Sequence, residues 1–253
     1  MTRLLTMLVG FCVASAVVHA TPTDITVRVL SKDAKFIGSS MGGVRIELRD
    51  MADGRLLASG MTEGATGDTK RIMTDPWIRG QALSTKDSAS FSATIDIDRP
   101  IRVQLTAEGP ASNPDSANRM TVTQWIIPGR HVSGGDGWLL EMRGFSVSAN
   151  ASVKESADRN SPILTLSATV TMMCGCPIEP GGMWDANVYE VAAVLTDAAG
   201  NATTVPLPYA GKTSEFSGSA ELKGKGPFEA IVYAYNPENG NTGIDVVKFN
   251  GPQ

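Results

Sequence analysis

The sequence predicts an all-β protein with two consecutive antiparallel β-sandwich domains behind a cleaved signal peptide. Three observations lead to this expectation. Short segments of alternating apolar and polar residues recur along the chain, turns containing glycine or proline separate them, and long helical runs are absent. The chain of 253 residues is long enough for two ordinary domains, at roughly 100–200 residues each.

Residues 1–20 predict a signal peptide. Arg3 provides a positive charge, residues 4–18 form an uncharged and mostly apolar stretch, and Val18-His19-Ala20 offers side chains that a signal peptidase accepts. The apolar stretch is shorter than the ~20 residues that span a bilayer, and no later segment is apolar enough to do so. We therefore expect cleavage after Ala20 and a periplasmic or secreted mature chain without a transmembrane segment.

The first predicted domain covers residues 21–143 and consists of short strands. These are expected at 25–30, 44–49, 55–60, 89–97, 100–109, 119–127 and 138–142. Val44, Ile46 and Leu48 should share one buried face, because side chains alternate across a strand. Asp53-Gly54 supplies the positive φ that a tight hairpin between the second and third of these strands requires.

Three segments of this domain resemble a known family. The pattern from Gly43 to Gly60, with Val44-Arg-Ile-Glu-Leu-Arg-Asp50 and the Asp53-Gly54 turn, is similar to carboxypeptidase-regulatory-like, or transthyretin-like, sandwich domains of exported bacterial proteins. The segments from Phe91 to Ile97 and from Val103 to Ala107 fit the same pattern. The resemblance implies a scaffold domain that carries no catalytic motif.

The second predicted domain covers residues 144–253 and is also a sandwich. Strands are expected at 162–172, 187–196, 202–207, 216–222, 228–235 and 244–249. On the first of these, Leu164, Leu166, Ala168, Val170 and Met172 should face the core. The turn Asp197 to Asn201 and the hairpin from Tyr233 to Gly243 resemble bacterial immunoglobulin-like domains. Such domains serve as spacers, adhesive modules or carriers of sites.

Charge and residue types disfavour two function classes. The formal net charge is −4, whereas nucleic-acid binding requires clustered lysine and arginine. His131 is the only histidine of the predicted mature chain, and no nucleophile elbow, zinc-protease motif or phosphate-binding glycine loop is present. The sequence therefore predicts a protein that is not an enzyme and does not bind nucleic acid.

The segment Met172-Met173-Cys174-Gly175-Cys176-Pro177 suggests a soft-metal site. If the strand continues past Met172, that residue and the two cysteines fall on one face, and Met183 can return to them through the turn that precedes it. Thiolate and thioether sulfurs favour Cu(I). The candidate ligands are Cys174, Cys176, Met172, Met173, Met183 and His131, the last if the two domains pack together.

Other interpretations of the same residues stay open. Met172 is most simply a core residue, and the cysteines form either a local disulfide or an intermolecular one. In an extended strand their Cβ atoms are too far apart for a local disulfide, but Gly175 can turn the chain to allow it. A role in thiol-disulfide exchange is disfavoured, since no helix N-terminus is predicted here to lower the thiol pKa.

The expected function is therefore that of an exported binding protein. It binds or delivers Cu(I) through the cysteine segment, or it is a structural or adhesive module that recognises a protein or a glycan. Trp184 and Trp138 lie next to glycine-rich loops and would form an aromatic platform for a carbohydrate if exposed. We expect both to be core residues instead, as tryptophans of sandwich domains usually are.

Overall fold

The computed structural model describes residues 19–155 and 161–251, and within these ranges the protein is all-β. It contains one short α-helix and two 3-10 turns besides the strands. The strands are β1 (Thr21–Ser31), β2 (Arg45–Asp50), β3 (Leu56–Met61), β4 (Phe91–Ile97), β5 (Ile101–Gly109), β6 (Asn118–Ile126), β7 (Trp138–Met142), β8 (Phe145–Lys154), β9 (Ile163–Met172), β10 (Glu190–Thr196), β11 (Ala202–Pro206), β12 (Glu215–Glu221), β13 (Phe228–Asn236) and β14 (Asn241–Phe249). The helix is α1 (Thr69–Met73). Most of the predicted signal peptide, residues 1–18, lies outside the described residues.

The strands from β1 to β7 form two sheets with the orders β4-β1-β7 and β3-β2-β5-β6. Their apolar faces meet in a set of buried side chains that we call the first cluster. Its members include Ile25, Val27, Val44, Ile46, Leu48, Val103, Leu105, Trp138, Leu140 and Met142. Val44, directly before β2, and Ile46 and Leu48 on it are thus buried together as predicted, and Gly54 has a φ of 73° in the predicted hairpin turn.

The strands from β8 to β14 form two further sheets with the orders β12-β9-β8 and β11-β10-β13-β14. Their apolar faces share what we call the second cluster. Its members include Phe145, Val147, Leu164, Leu166, Val170, Met172, Cys174, Cys176, Trp184, Ala193, Val232 and Ala234. The alternating residues from Leu164 to Met172 are all buried, which confirms the predicted core face of β9.

Several local features of the strands and of the loop before β4 differ from the sequence prediction. The strand β8 was not predicted, although it alternates from Phe145 to Val153 and pairs with β9 along its whole length. The helix α1 forms inside a segment expected to be only a loop, and the Asp68 side chain caps it by accepting a hydrogen bond from the Arg71 amide. The pair β1 and β7 is parallel, whereas all strand pairs were expected to be antiparallel.

Side chains and backbone groups connect the two sets of sheets. Met173 is completely buried in the first cluster, while Met172 and Cys174 on either side of it belong to the second. The buried Asn241 amide bonds both backbone groups of Gly144: its Oδ1 accepts from the amide N at 2.7 Å and its Nδ2 donates to the carbonyl at 3.0 Å. Gly144, the predicted domain boundary, therefore lies at a closely packed junction.

None of the helices within the described ranges is long and apolar enough to cross a membrane.

Candidate functional site

The cysteine segment begins where β9 ends at Met172, so the strand does not continue through the cysteines as expected. The chain turns instead: the Gly175 amide donates to the Met172 carbonyl at 2.8 Å, and the Met172 amide donates to the Cys176 carbonyl at 3.1 Å. Gly175 has a φ of 76°, which a residue with a side chain adopts only with strain. This turn brings the Cα atoms of Cys174 and Cys176 to 5.4 Å, within the range of a disulfide, and the two residues are paired as one.

The turn also determines what each side chain of the segment contacts. Met172, Cys174 and Cys176 are buried in the second cluster, together with Ile178 and Trp184. Met173 points the opposite way into the first cluster. Of the four sulfurs in this stretch, three therefore share one apolar environment and the fourth is in another.

A residue from the other set of sheets closes over the turn. Met41 ends a 3-10 turn after β1, and an ideal Cβ atom added to Gly175 would lie 2.7 Å from the Met41 Sδ atom. Gly144 leaves equally little room: an added Cβ there would lie 3.0 Å from the Met173 Sδ atom. Both glycines have positive φ angles, which favour glycine, and a side chain added at either position would displace the flexible end of a methionine.

The two remaining predicted ligands lie away from this packed turn. Met183 is 51% exposed, in the loop before β10. The His131 Nδ1 atom accepts a hydrogen bond from the Asp24 amide at 3.0 Å and lies 3.4 Å from the Asp24 Oδ2 atom, next to the beginning of β1. In the described ranges, no three or more histidine, cysteine, aspartate or glutamate residues are grouped as a metal site requires.

The tryptophans divide into a buried pair and an exposed pair. Trp138 and Trp184 are buried, as expected of core residues, and the Trp184 Nε1 atom donates to the Asp33 carbonyl at 2.9 Å. Trp77 is 63% exposed and Trp125 is 62% exposed, and neither was a candidate from the sequence. Exposed tryptophans are candidates for binding, because tryptophan is enriched among the residues that contribute most to binding energies.

Trp125 lies on β6, at an edge of its sheet, opposite Arg102 of β5. Its neighbour Ile126 is buried, so the alternation of the strand places Trp125 on the solvent face. Ile127, directly after the strand, is half exposed. The sequence signal for the exposure of Trp125 is the period-two alternation from Met120 to Ile126, which places Trp125 on the face opposite to Ile126.

Trp77 lies in the loop after α1, next to Ile78, which is 65% exposed. The Trp77 Nε1 atom donates to the Ile72 carbonyl at 3.0 Å, so the edge of the ring is anchored while its face is open to solvent. Ile72 itself is buried in a third cluster with Leu30, Phe36, Leu83 and Ala89. The sequence gives no periodic signal here, because the loop has neither helical nor strand alternation.

Asp136 holds the far end of this loop. Its carboxylate accepts hydrogen bonds from the Leu83 amide at 2.9 Å and the Ser84 amide at 2.8 Å. Burial acts to raise the pKa of Asp136, but the hydrogen bonds from Ser84 and Leu83 and the nearby charge of Arg28 outweigh it and hold the pKa below its usual value. The carboxylate is therefore ionised at neutral pH and orders the loop that carries Trp77.

No protein-family model matches the sequence, and comparison with the curated proteins and with the solved structures finds no significant match.

Proposed function

We propose that this chain is an exported, non-catalytic binding module of two β-sandwich domains that recognises a protein or glycan through its exposed aromatic residues. The observation that carries the proposal is the exposure of Trp77 and Trp125 on a closely packed scaffold. Its two apolar clusters are connected by Met173, which follows β9 but is buried in the first cluster. Aromatic side chains on rigid supports lose little conformational entropy on binding, which is why they dominate binding energies at interfaces. In this proposal the Cys174–Cys176 disulfide only holds the turn after β9 in place.

The position of the first strand supports the exported form. β1 begins at Thr21, directly after the predicted cleavage site, so removal of residues 1–20 would leave every described strand whole. A disulfide between buried cysteines also fits an oxidising compartment outside the cytoplasm. Mass measurement of the chain secreted from an expressing cell tests this: a mature N-terminus at Thr21 is expected, and an intact residue 1 in the exported protein would contradict it.

The binding proposal is tested with labelled mature chain and isolated cell-envelope material. We expect saturable binding that is weakened in the double variant Trp77→Ala with Trp125→Ala. Pretreatment of the envelope separates the partner classes, because protease destroys a protein partner and periodate destroys the vicinal diols of a glycan.

Ile244→Ala is the matched control, since Ile244 is a half-exposed apolar residue on β14. It should bind as the wild type does. Absence of saturable binding, or equal binding by the double variant, would contradict the proposal.

A second candidate function is favoured by the clustering of three sulfurs. Met172, Cys174 and Cys176 lie in one apolar cluster, and reduction of the cysteine pair would supply thiolates beside a thioether, a donor set suited to Cu(I). In this proposal the chain binds or delivers Cu(I), and Met172 is the assisting thioether because it lies in the same cluster as the two cysteines. Met173, Met183 and His131 would have to move from their present positions to join.

Native mass spectrometry of reduced protein under anaerobic conditions, with one equivalent of Cu(I), tests this candidate. Retention of one copper per chain that is lost in Cys174→Ser with Cys176→Ser would support it, and Met183→Ala is the control that should retain copper. If the reduced protein retains no copper, or if the thiol count shows that the pair resists reduction, the Cu(I) function is excluded and the disulfide is structural.

A further inference from the structure

A cavity of about 250 Å³ opens beside Trp77 and is formed by α1 and the loop that follows it. Arg71, Asp75, Trp77, Ile78 and Gln81 contribute to its lining. The lining therefore combines aromatic and aliphatic side chains with three side chains that carry hydrogen-bonding groups. This cavity lies outside the cysteine segment, next to the third cluster, whose member Leu83 also lines it.

The walls of the cavity are held in place before any ligand arrives. The Arg71 Nη1 atom donates to the Ser84 carbonyl at 3.0 Å and so ties the beginning of the loop to its end. Asp136 accepts from the backbone amides at that same end, and the Trp77 ring is anchored through Nε1. Because these groups are already ordered, little conformational entropy is lost on binding.

The chemistry of the lining specifies the class of ligand. Arginine donates hydrogen bonds, a carboxylate accepts them, and the Gln81 amide does both, which matches the donor and acceptor character of hydroxyl groups. The lining holds one charge of each sign, Arg71 and Asp75, and the Asp75 Oδ1 atom also lies 3.9 Å from the Lys70 Nζ atom. A neutral ring with an apolar face of C–H groups and a rim of hydroxyls fits both the aromatic wall and the polar one.

We propose that this cavity binds one pyranose ring of an oligosaccharide, stacked on the face of Trp77. The inference rests on the binding function proposed above and assigns its ligand class and its site. A peptide in extended form is a poorer fit, because it is usually bound by adding a strand to a sheet edge and this cavity presents a helix and a loop.

The test is saturation-transfer NMR of the mature chain with trisaccharides of glucose in α and β linkage, of N-acetylglucosamine, of mannose and of galactose. We expect transfer to at least one of them and an affinity about tenfold lower in Trp77→Ala. Trp77→Phe keeps an aromatic face and should retain most of the binding. Asp75→Asn and Gln81→Ala should weaken binding without altering the ring stacking.

Ile244→Ala is the matched control, because Ile244 is a half-exposed apolar residue on β14, far along the chain from this cavity. It should leave saccharide binding unchanged. Transfer to none of the trisaccharides, or transfer that Trp77→Ala does not reduce, would overturn the inference. Envelope binding that depends on Trp125 alone would overturn this site while leaving the proposed binding function intact, and loss of saturable envelope binding altogether would remove both.

Discussion

Asn241 is a single residue whose side chain satisfies both backbone groups of Gly144. Replacing it with alanine leaves a buried amide and a buried carbonyl without partners, so we expect Asn241→Ala to lower the free energy of unfolding by about 2–4 kcal/mol. Urea denaturation measures the loss. Asn150→Ala, at an exposed asparagine of β8, should change it by less than about 0.5 kcal/mol, and an equal effect of the two variants would contradict the role of Asn241.

Asp136 makes the stability of the Trp77 loop depend on pH. Since its pKa is lower in the folded protein than the unfolded value of about 3.9, its contribution is complete above that value and is lost as the pH falls through the folded pKa. The free energy of unfolding should therefore fall more steeply below about pH 5 in the wild type than in Asp136→Asn. Urea titrations at a series of pH values check this, and parallel curves for the two proteins down to pH 2 would rule it out.

Gly175, in the turn that follows β9, combines a positive φ with a close contact to the Met41 side chain. Gly175→Ala should cost the strain of a positive φ and, in addition, force Met41 aside, for a total of about 2–4 kcal/mol. Gly181→Ala measures the backbone strain alone, because Gly181 has a φ of 70° and open space where its Cβ would be.

Removing the Met41 side chain tests how much of the cost comes from its clash with the new Cβ atom at position 175. Adding Met41→Ala to Gly175→Ala should relieve the clash, so the double variant should lose less stability than the sum of the two single variants. Strict additivity, measured by urea denaturation, would show that Met41 and Gly175 are not coupled.

At the level of the strands, much could be predicted because alternation is a local property. The core face of β9 and the hairpin after β2 follow from period-two patterns and a turn residue, and the segment from Phe145 to Val153 that forms β8 carries the same period-two signal. The parallel pairing of β1 with β7 could not be predicted, since alternation is the same in either strand direction. The side of Met173 could not be predicted either, because it depends on a turn between two clusters.

For the whole molecule, the junction predicts that the two sets of sheets unfold together. Met173 is covalently attached to β9 but packs in the first cluster, so loss of one cluster exposes a side chain of the other segment. Hydrogen-exchange mass spectrometry in increasing urea should give the same midpoint for β5 and β9. Met173→Ala should lower both midpoints together, with a cost of about 2–5 kcal/mol, whereas a shift confined to one strand would show that the clusters unfold independently.

The candidate site reflects the same division between local and long-range information. The cysteine segment could be found from the sequence as a sulfur-rich stretch, yet the burial of its sulfurs depends on Gly175 and on Met41 from a distant part of the chain. Trp77 could not be identified from the sequence as a binding residue. Its position is set by the hydrogen bond to the Ile72 carbonyl, and its place beside a cavity is visible only in the folded chain.

Met172 and Met173 are neighbours in the chain but are buried in different clusters, and this limits how the region can change length. Inserting or deleting one residue between β9 and Cys176 would exchange the environments of neighbouring side chains and leave one of the two clusters with a gap. The turns at Gly181, Gly200 and Gly211 have open space around them and should accept such changes. A tag or reporter introduced for imaging or immobilisation therefore belongs in those turns, and the stretch from Met172 to Cys176 should keep its length in any redesigned form of the chain.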